Sequence, residues 1–371
     1  MQEDFHYYAT YCAAFLAGYS HEESLDIAYS AQFVDLCSRT FLSTIGAPLD
    51  AATTQLQLEL MDARTDIIGL QDITRIWASF HFLPKDLYAI KQRRTRRYLN
   101  KYRLICGPNG ELVRKTIELA KDKHLQSVGI AMHVLADTWA HSYFAGTPSL
   151  VINNTDYDFY EIFESEDDYS ERIIKFRHSA SAPDDLDNSI YTNSLSQSTE
   201  NSIMNLGHGR AGHLPDYSFA RYKYVPAWGE YKVIEKDNPS DYFKAFCQMV
   251  YAMRFLRGKV AEFVLDTYAF EEVQQHEDII KEIIHKRQLN ASEDWKKFGE
   301  SLSEMEIDDF DLGRYSEEYK NASQDMKDNT FLGKFIQGAI VHKGMVTNEI
   351  YKSKNILAGF SKEIFTFKEQ E

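Results

Sequence analysis

Apolar residues recur along most of this chain at helical spacing. Between Ser127 and Ser142, the positions Val128, Ile130, Ala131, Val134, Leu135 and Ala136 cover most of a helix circumference, which predicts a buried helix. Upstream, residues 4–17 form an aromatic, nearly all-apolar segment closed by Gly18, a natural helix C-cap. Ser20 and Glu23 have capping-box spacing and open a helix read through to Leu42; on it Ala28, Ala31, Gln32 and Asp35 share a face. A third helix is expected at about 63–80, ahead of Phe80-His81-Phe82-Leu83-Pro84, with His81 pointing inward. Gly107-Pro108-Asn109-Gly110 reads as a turn, and from Glu111 one helical pattern runs on into the buried segment. Helical signal returns from Asp241, then over 271–288 and 329–360. Between them, residues 147–202 turn to Asn, Asp, Ser, Thr and Tyr; a loop of this length is expected to act as a lid.

These spans predict an all-α, multi-helix bundle, with residues 1–270 as one metal-binding domain and 271–371 as a helical C-terminal extension. Composition agrees: 23 Tyr and 23 Phe against 8 Pro and 18 Gly favour long helices over a many-turned β protein. The net charge of −15 disfavours a dedicated nucleic-acid binder. Cys12, Cys37, Cys106 and Cys247 lie far apart and read as reduced packing residues. No secretory signal opens the sequence and no apolar run reaches the roughly 20 residues of a membrane span, so a cytoplasmic location is expected. One basic run, residues 91–103, interleaves Tyr98 and Tyr102. It reads either as a solvated helix face or as a patch for peripheral contact with phospholipid.

The chemistry centres on His133, Asp137 and His141. Four residues advance a helix by about 400°, so the three drift only about 40° apart at each step and make one polar strip on an apolar helix. A single His–Asp pair at this spacing is usually a hydrogen-bonded core pair. An unpaired buried Asp costs several kcal/mol, and divalent cations satisfy all three residues together. Further His and Asp residues sit in short motifs elsewhere: Asp4 and His6, Asp35, His81, and the stretch Leu206-Gly-His-Gly-Arg-Ala-Gly-His-Leu-Pro-Asp216 with His208 and His213. Together they form an N/O ligand set of the kind that binds zinc. A di-iron carboxylate centre is disfavoured because no Glu-x-x-His pair accompanies these histidines.

The order of these motifs resembles the zinc-dependent phospholipase C superfamily, which also holds fungal single-strand nucleases. The nearest pattern is the N-terminal domain of glycosylphosphatidylinositol-specific phospholipase D. Its HxxADxxWHS element is similar to His133-Val-Leu-Ala-Asp137-Thr-Trp139-Ala-His141-Ser142, with Trp139 one place early. Asp4-Phe-His6, Ala31-Gln-Phe-Val-Asp35 and Phe80-His81-Phe82 match other elements, so the resemblance covers roughly residues 4–220. It implies an all-helical fold holding two or three zinc ions. His81, His133 and Asp137 would hold one and His6 and Asp137 a second, with Asp137 as the bridge. His141 and His208, with Asp216 or His213, would hold the third. Asp35 would orient or deprotonate the attacking water. The superfamily often adds a mature N-terminal amine as ligand; here Asp4 is expected in its place, or a binuclear site. The implied activity is hydrolysis of a phosphodiester, phospholipid-like in the first instance, with nucleotides or single-stranded nucleic acid as the variant. The alternative from another class is a helical binding protein with a structural metal cluster and no catalysis.

Overall fold

The computed structural model describes residues 1–63, 65, 67–147, 160–165, 168–173, 184–186, 190, 211–230 and 232–358. The chain enters through a π-helical turn, Asp4–Ala9, that runs directly into α1 (Thr10–Ala17). Gly18 ends α1 at φ 95°, a backbone that L side chains rarely adopt, and the Tyr19 N–H returns to Ala14 O at 3.1 Å. Ser20 and Glu23 then cap α2 (His21–Phe33) reciprocally. The helix expected to reach Leu42 stops early. Residues 34–36 make a turn, and Ser38 accepts the Phe41 N–H to start α3 (Arg39–Ile45), so Asp35 stands in a turn and not on a helix face.

The span expected at 63–80 is two helices, α4 (Gln57–Ala63) and α5 (Ile67–Phe80). After α6 (Arg96–Tyr102), the pattern from Glu111 also divides, into α7 (Glu111–Ala120) and α8 (Leu125–Ala140), with Asp122 at φ 59° in the turn between. Helix α8 is the axis of the molecule. It is buried from Val128 to Ala140 and packs against α2, α5, α7, and the helices Asn238–Leu256 and Phe331–Lys352. At Gly129 the approach of α2 is close enough that a Cβ would meet Ile27 O at 2.4 Å and Ser30 Cβ at 2.5 Å.

The fold is mostly helical but not all-α. Strands β1 (Tyr160–Ser165), β2 (Asp168–Ile173), β3 (Arg221–Tyr224) and β4 (Ile234–Asp237) form an antiparallel sheet in the order β2-β1-β3-β4. Registers run from Tyr160 opposite Ile173, Tyr160 opposite Lys223, and Arg221 opposite Asp237. The alternation Arg221-Tyr-Lys-Tyr224 buries Tyr222 and Tyr224, the period-2 pattern of a half-buried strand. They join a smaller core with Phe82, Phe144, Leu214 and Phe219. Most of the lid expected at 147–202 lies outside the described residues; its described parts include β1 and β2.

Helices beyond residue 271 pack into the core of those before it. Trp295, Phe298, Phe335 and Ala339 belong to the same core as Phe5, Ala28 and Leu135. Phe5 packs edge-on against Tyr242 and Trp295, and Tyr7 donates to Asp308 O at 3.0 Å. His342 is buried, and its Nε2 bonds Ser79 O at 2.8 Å. It occupies the apolar stripe of Ala339 and Val346, three residues before and four after. All four cysteines are buried free thiols. Among the described residues no helix is long and apolar enough to cross a membrane.

Candidate metal centre

Two sequence-distant turns and two helix ends converge on the strip carried by α8. Asp137 lies in the middle, 1% exposed. Its Oδ1 is 3.2 Å from His6 Nε2 and 3.0 Å from the Met1 nitrogen; its Oδ2 is 3.2 Å from both His81 Nδ1 and His133 Nε2. Asp35 closes the other side, with Oδ1 3.6 Å from His81 Nδ1 and 3.8 Å from His133 Nε2, and Oδ2 3.9 Å from His6 Nε2. Two groups of three, His6–His133–Asp137 and Asp35–His81–His133, have ligand atoms close enough to hold a metal ion. A third cluster adjoins them: the Met1 nitrogen, His141 Nε2 and Asp216 Oδ1 lie 3.2–3.4 Å from one another.

The backbone fixes which imidazole nitrogen faces the centre. His133 Nδ1 donates to Ala31 O at 2.9 Å, His81 Nε2 to Thr53 O at 3.0 Å, and His141 Nδ1 to His81 O at 2.7 Å. A carbonyl can only accept, so each of these rings turns its bare nitrogen inward. The result is lone pair against lone pair: His133 Nε2 and His81 Nδ1 are 3.2 Å apart, and both face carboxylate oxygens. His6, stacked on His133 at 3.9 Å, is wholly buried and makes no hydrogen bond through either ring nitrogen. Acceptors crowded in this way call for cations. The carbonyl bonds behind the rings match the outer-shell support typical of metal-binding histidines.

Protons do not supply that charge readily. Burial lowers His133 to about 4 against the pull of Asp137, and burial with the neighbouring His133 lowers His6 to about 4. Burial also acts to raise Asp137, but His141, the Met1 amine, His133 and His6 outweigh it and hold the carboxyl well below its usual range. Burial raises Asp35, opposed by His6 and His81. The Met1 amine, which burial alone would lower, is raised to about 11 by Asp137, Asp216 and Asp35. A positive charge therefore stands where the donor set calls for one. The residues present fit divalent metal.

Not every expected ligand joins. Asp4 does not: its Oδ2 accepts the Ala291 N–H at 3.1 Å, and burial pushes it up to about 6. His213 engages Asp184 through Nδ1 at 2.7 Å, with Tyr217 donating to the same carboxylate. His208 lies outside the described residues. Asp35, expected as a water-orienting group beside the metals, sits at donor distance within one of the two groups. The Met1 nitrogen, and not Asp4, stands beside Asp137 and Asp216, as an ammonium paired with both carboxylates. Trp139 faces away from the cluster and donates to Gln248 Oε1 at 2.9 Å.

The fold and the cluster define a helical protein with buried His/Asp groups able to hold metal. The chain belongs to the DUF6765 family, a family of unknown function whose pattern matches residues 1–350. No curated protein and no solved structure matches it.

Proposed function

We propose that this protein is a zinc-type, metal-dependent phosphodiesterase acting on a phospholipid-like substrate. The observation that carries this reading is the two-sided carboxylate of Asp137, with His6 against one oxygen and His81 and His133 against the other. His6, His133 and Asp137 would hold one ion and Asp35, His81 and His133 a second, with Asp137 between the two sets. Bound divalent ions would polarise a phosphoryl oxygen and lower the pKa of water near the phosphorus. Asp35 supports a catalytic use of the centre. Its side chain is 29% exposed, whereas those of His6, His81, His133 and Asp137 are at most 4% exposed, so it is the carboxylate that substrate and water meet. A carboxylate held there orients water in line with the scissile bond. The net charge of −15 favours a lipid over a polyanionic nucleic acid.

The depth of the histidines favours a second reading, a metal staple without catalysis. Hydrolysis of bis(p-nitrophenyl) phosphate separates the two. Turnover abolished by chelation and restored by zinc supports the enzyme. Protein with full metal content and no turnover on this ester, on phospholipid or on single-stranded oligonucleotide is the staple.

A further inference from the structure

The strand of chain that leaves His81 reaches a second feature. Pro84 pairs with Cys106 in an antiparallel bridge, and beyond it the chain swings outward as the loop 85–95 before α6. Tyr88 is 63% exposed, and Ile90, at 85%, is the most exposed large apolar side chain among the described residues. Directly after them come Lys91, Arg93, Arg94, Arg96 and Arg97.

These cations divide into two sets. Lys91 bonds Trp228 O and lies over the ring of Tyr102 at 5.0 Å; Arg94 pairs with Glu230 at 3.0 Å and lies 4.9 Å from the Tyr98 centroid. With Arg103, which donates to Ala89 O at 3.0 Å, they fasten the loop to α6 and to Trp228. Arg93, Arg96 and Arg97 are exposed, and among the described residues none has a carboxylate within ion-pair distance. Arg97 also lowers its neighbour Lys101, after burial, so this cluster of positive charge is not neutralised locally. On a chain of net charge −15, this is a local reversal of sign beside two solvent-exposed apolar side chains.

We propose that the loop carrying Tyr88, Ile90, Arg93, Arg96 and Arg97 docks the protein on a bilayer containing anionic lipid. The two apolar side chains enter the interface and the three arginines meet lipid phosphates. Charge complementarity selects an anionic surface, and the exposed Ile90 selects a bilayer over nucleic acid. Tyr98 and Tyr102 are not free as stacking platforms for bases, because they stack on each other at 6.1 Å beneath Lys91 and Arg94. None of these residues belongs to the metal centre, and sedimentation is read without turnover, so that the two readings fail separately.

The test is co-sedimentation of the full chain with vesicles of phosphatidylcholine alone or with one-fifth phosphatidylserine. Binding to the anionic vesicles only, weakening with salt, is expected. At about 1 kcal/mol per basic residue near the surface, Arg93→Gln/Arg96→Gln/Arg97→Gln lowers partition about a hundredfold. Ile90→Ser lowers it about tenfold and keeps the salt dependence. A control removing three exposed charges elsewhere, Lys123→Gln/Lys286→Gln/Lys297→Gln, binds as the parent does. Equal binding to both vesicles, equal loss in the control, or capture of a single-stranded oligonucleotide without vesicle binding overturns the proposal. These side chains hold no core contact, and a circular-dichroism melt matched to the parent verifies each variant.

Discussion

His133 Nε2 and His81 Nδ1 face each other at 3.2 Å while each ring gives its only hydrogen to a backbone carbonyl. Between neutral rings neither can donate to the other without breaking the bond behind it. Such a pair is able to hold a third, positively charged party, and the carboxylates of Asp35 and Asp137 complete its surroundings.

Asp137→Asn tests the bridge. Because one oxygen serves the His6 side and the other the His81–His133 side, the variant is expected to lose more than one ion per chain. Elemental analysis on the folded variant decides it; loss of one ion or none contradicts a bridging role.

Asp35→Asn separates the two faces of the centre. The substitution keeps shape and removes charge from the most exposed donor among the described residues of the centre. A loss of about 10²–10⁴-fold in kcat, the usual worth of a positioned general base, is expected with at most one ion lost. Unchanged turnover at full metal content would remove Asp35 from the mechanism.

The contact between α8 and α2 offers a test that touches no ligand. A methyl at Gly129 has no room against Ile27 O and Ser30 Cβ, so Gly129→Ala must push the helices apart. Overpacking of this kind costs about 1–3 kcal/mol. Ala31 O, which holds His133 in its tautomer, rides on α2 and moves with it. Both the melting temperature and the zinc affinity should fall; a fall in melting temperature alone would uncouple His133 from that carbonyl.

His342 gives a pH dependence outside the centre. Burial lowers it to about 4 from an ordinary 6.5, with its bond to Ser79 O opposing. Between those values the unfolded chain binds a proton that the folded chain does not. Stability from this residue is therefore undiminished above about pH 6.5 and falls as pH drops towards 4, by up to roughly 3 kcal/mol. His342→Gln keeps a donor for Ser79 O and does not titrate, so urea unfolding at pH 5 and 7 should show a shallower acid loss. Parallel losses in parent and variant would refute it.

Much of the centre was legible because helical spacing is rigid. His133, Asp137 and His141 share a strip at any reasonable helix geometry, and the aromatic frame of His81 before Pro84 marked an inward-facing end. The same rule, applied strictly, excludes Asp4. Two residues before His6 on a helical turn, it points the opposite way, towards Ala291. The stripe Ala339–His342–Val346 likewise carried the burial of His342. Asp35 was placed near the metals, but the turn at 34–36 that makes it a donor follows from Ser38 capping the next helix, a choice that tertiary packing decides. The sheet was missed because β3 and β4 have four residues each, while β1 and β2 lie in a stretch whose polar composition reads as loop; the alternation in Arg221–Tyr224 does record a strand. The inward place of the Met1 nitrogen has no periodic signal at all.

Phe5, beside the ligand His6, rests on Trp295, with ring centroids 6.1 Å apart. During synthesis that partner emerges about 290 positions after His6, a wait of roughly 15–60 s at ordinary translation rates. Until Trp295 arrives, Phe5 lacks one of its two edge-on aromatic partners, so His6 is held less firmly than in the finished fold. Stalled chains ending before and after Trp295, compared for zinc affinity, test whether the C-terminal third helps to seat that imidazole.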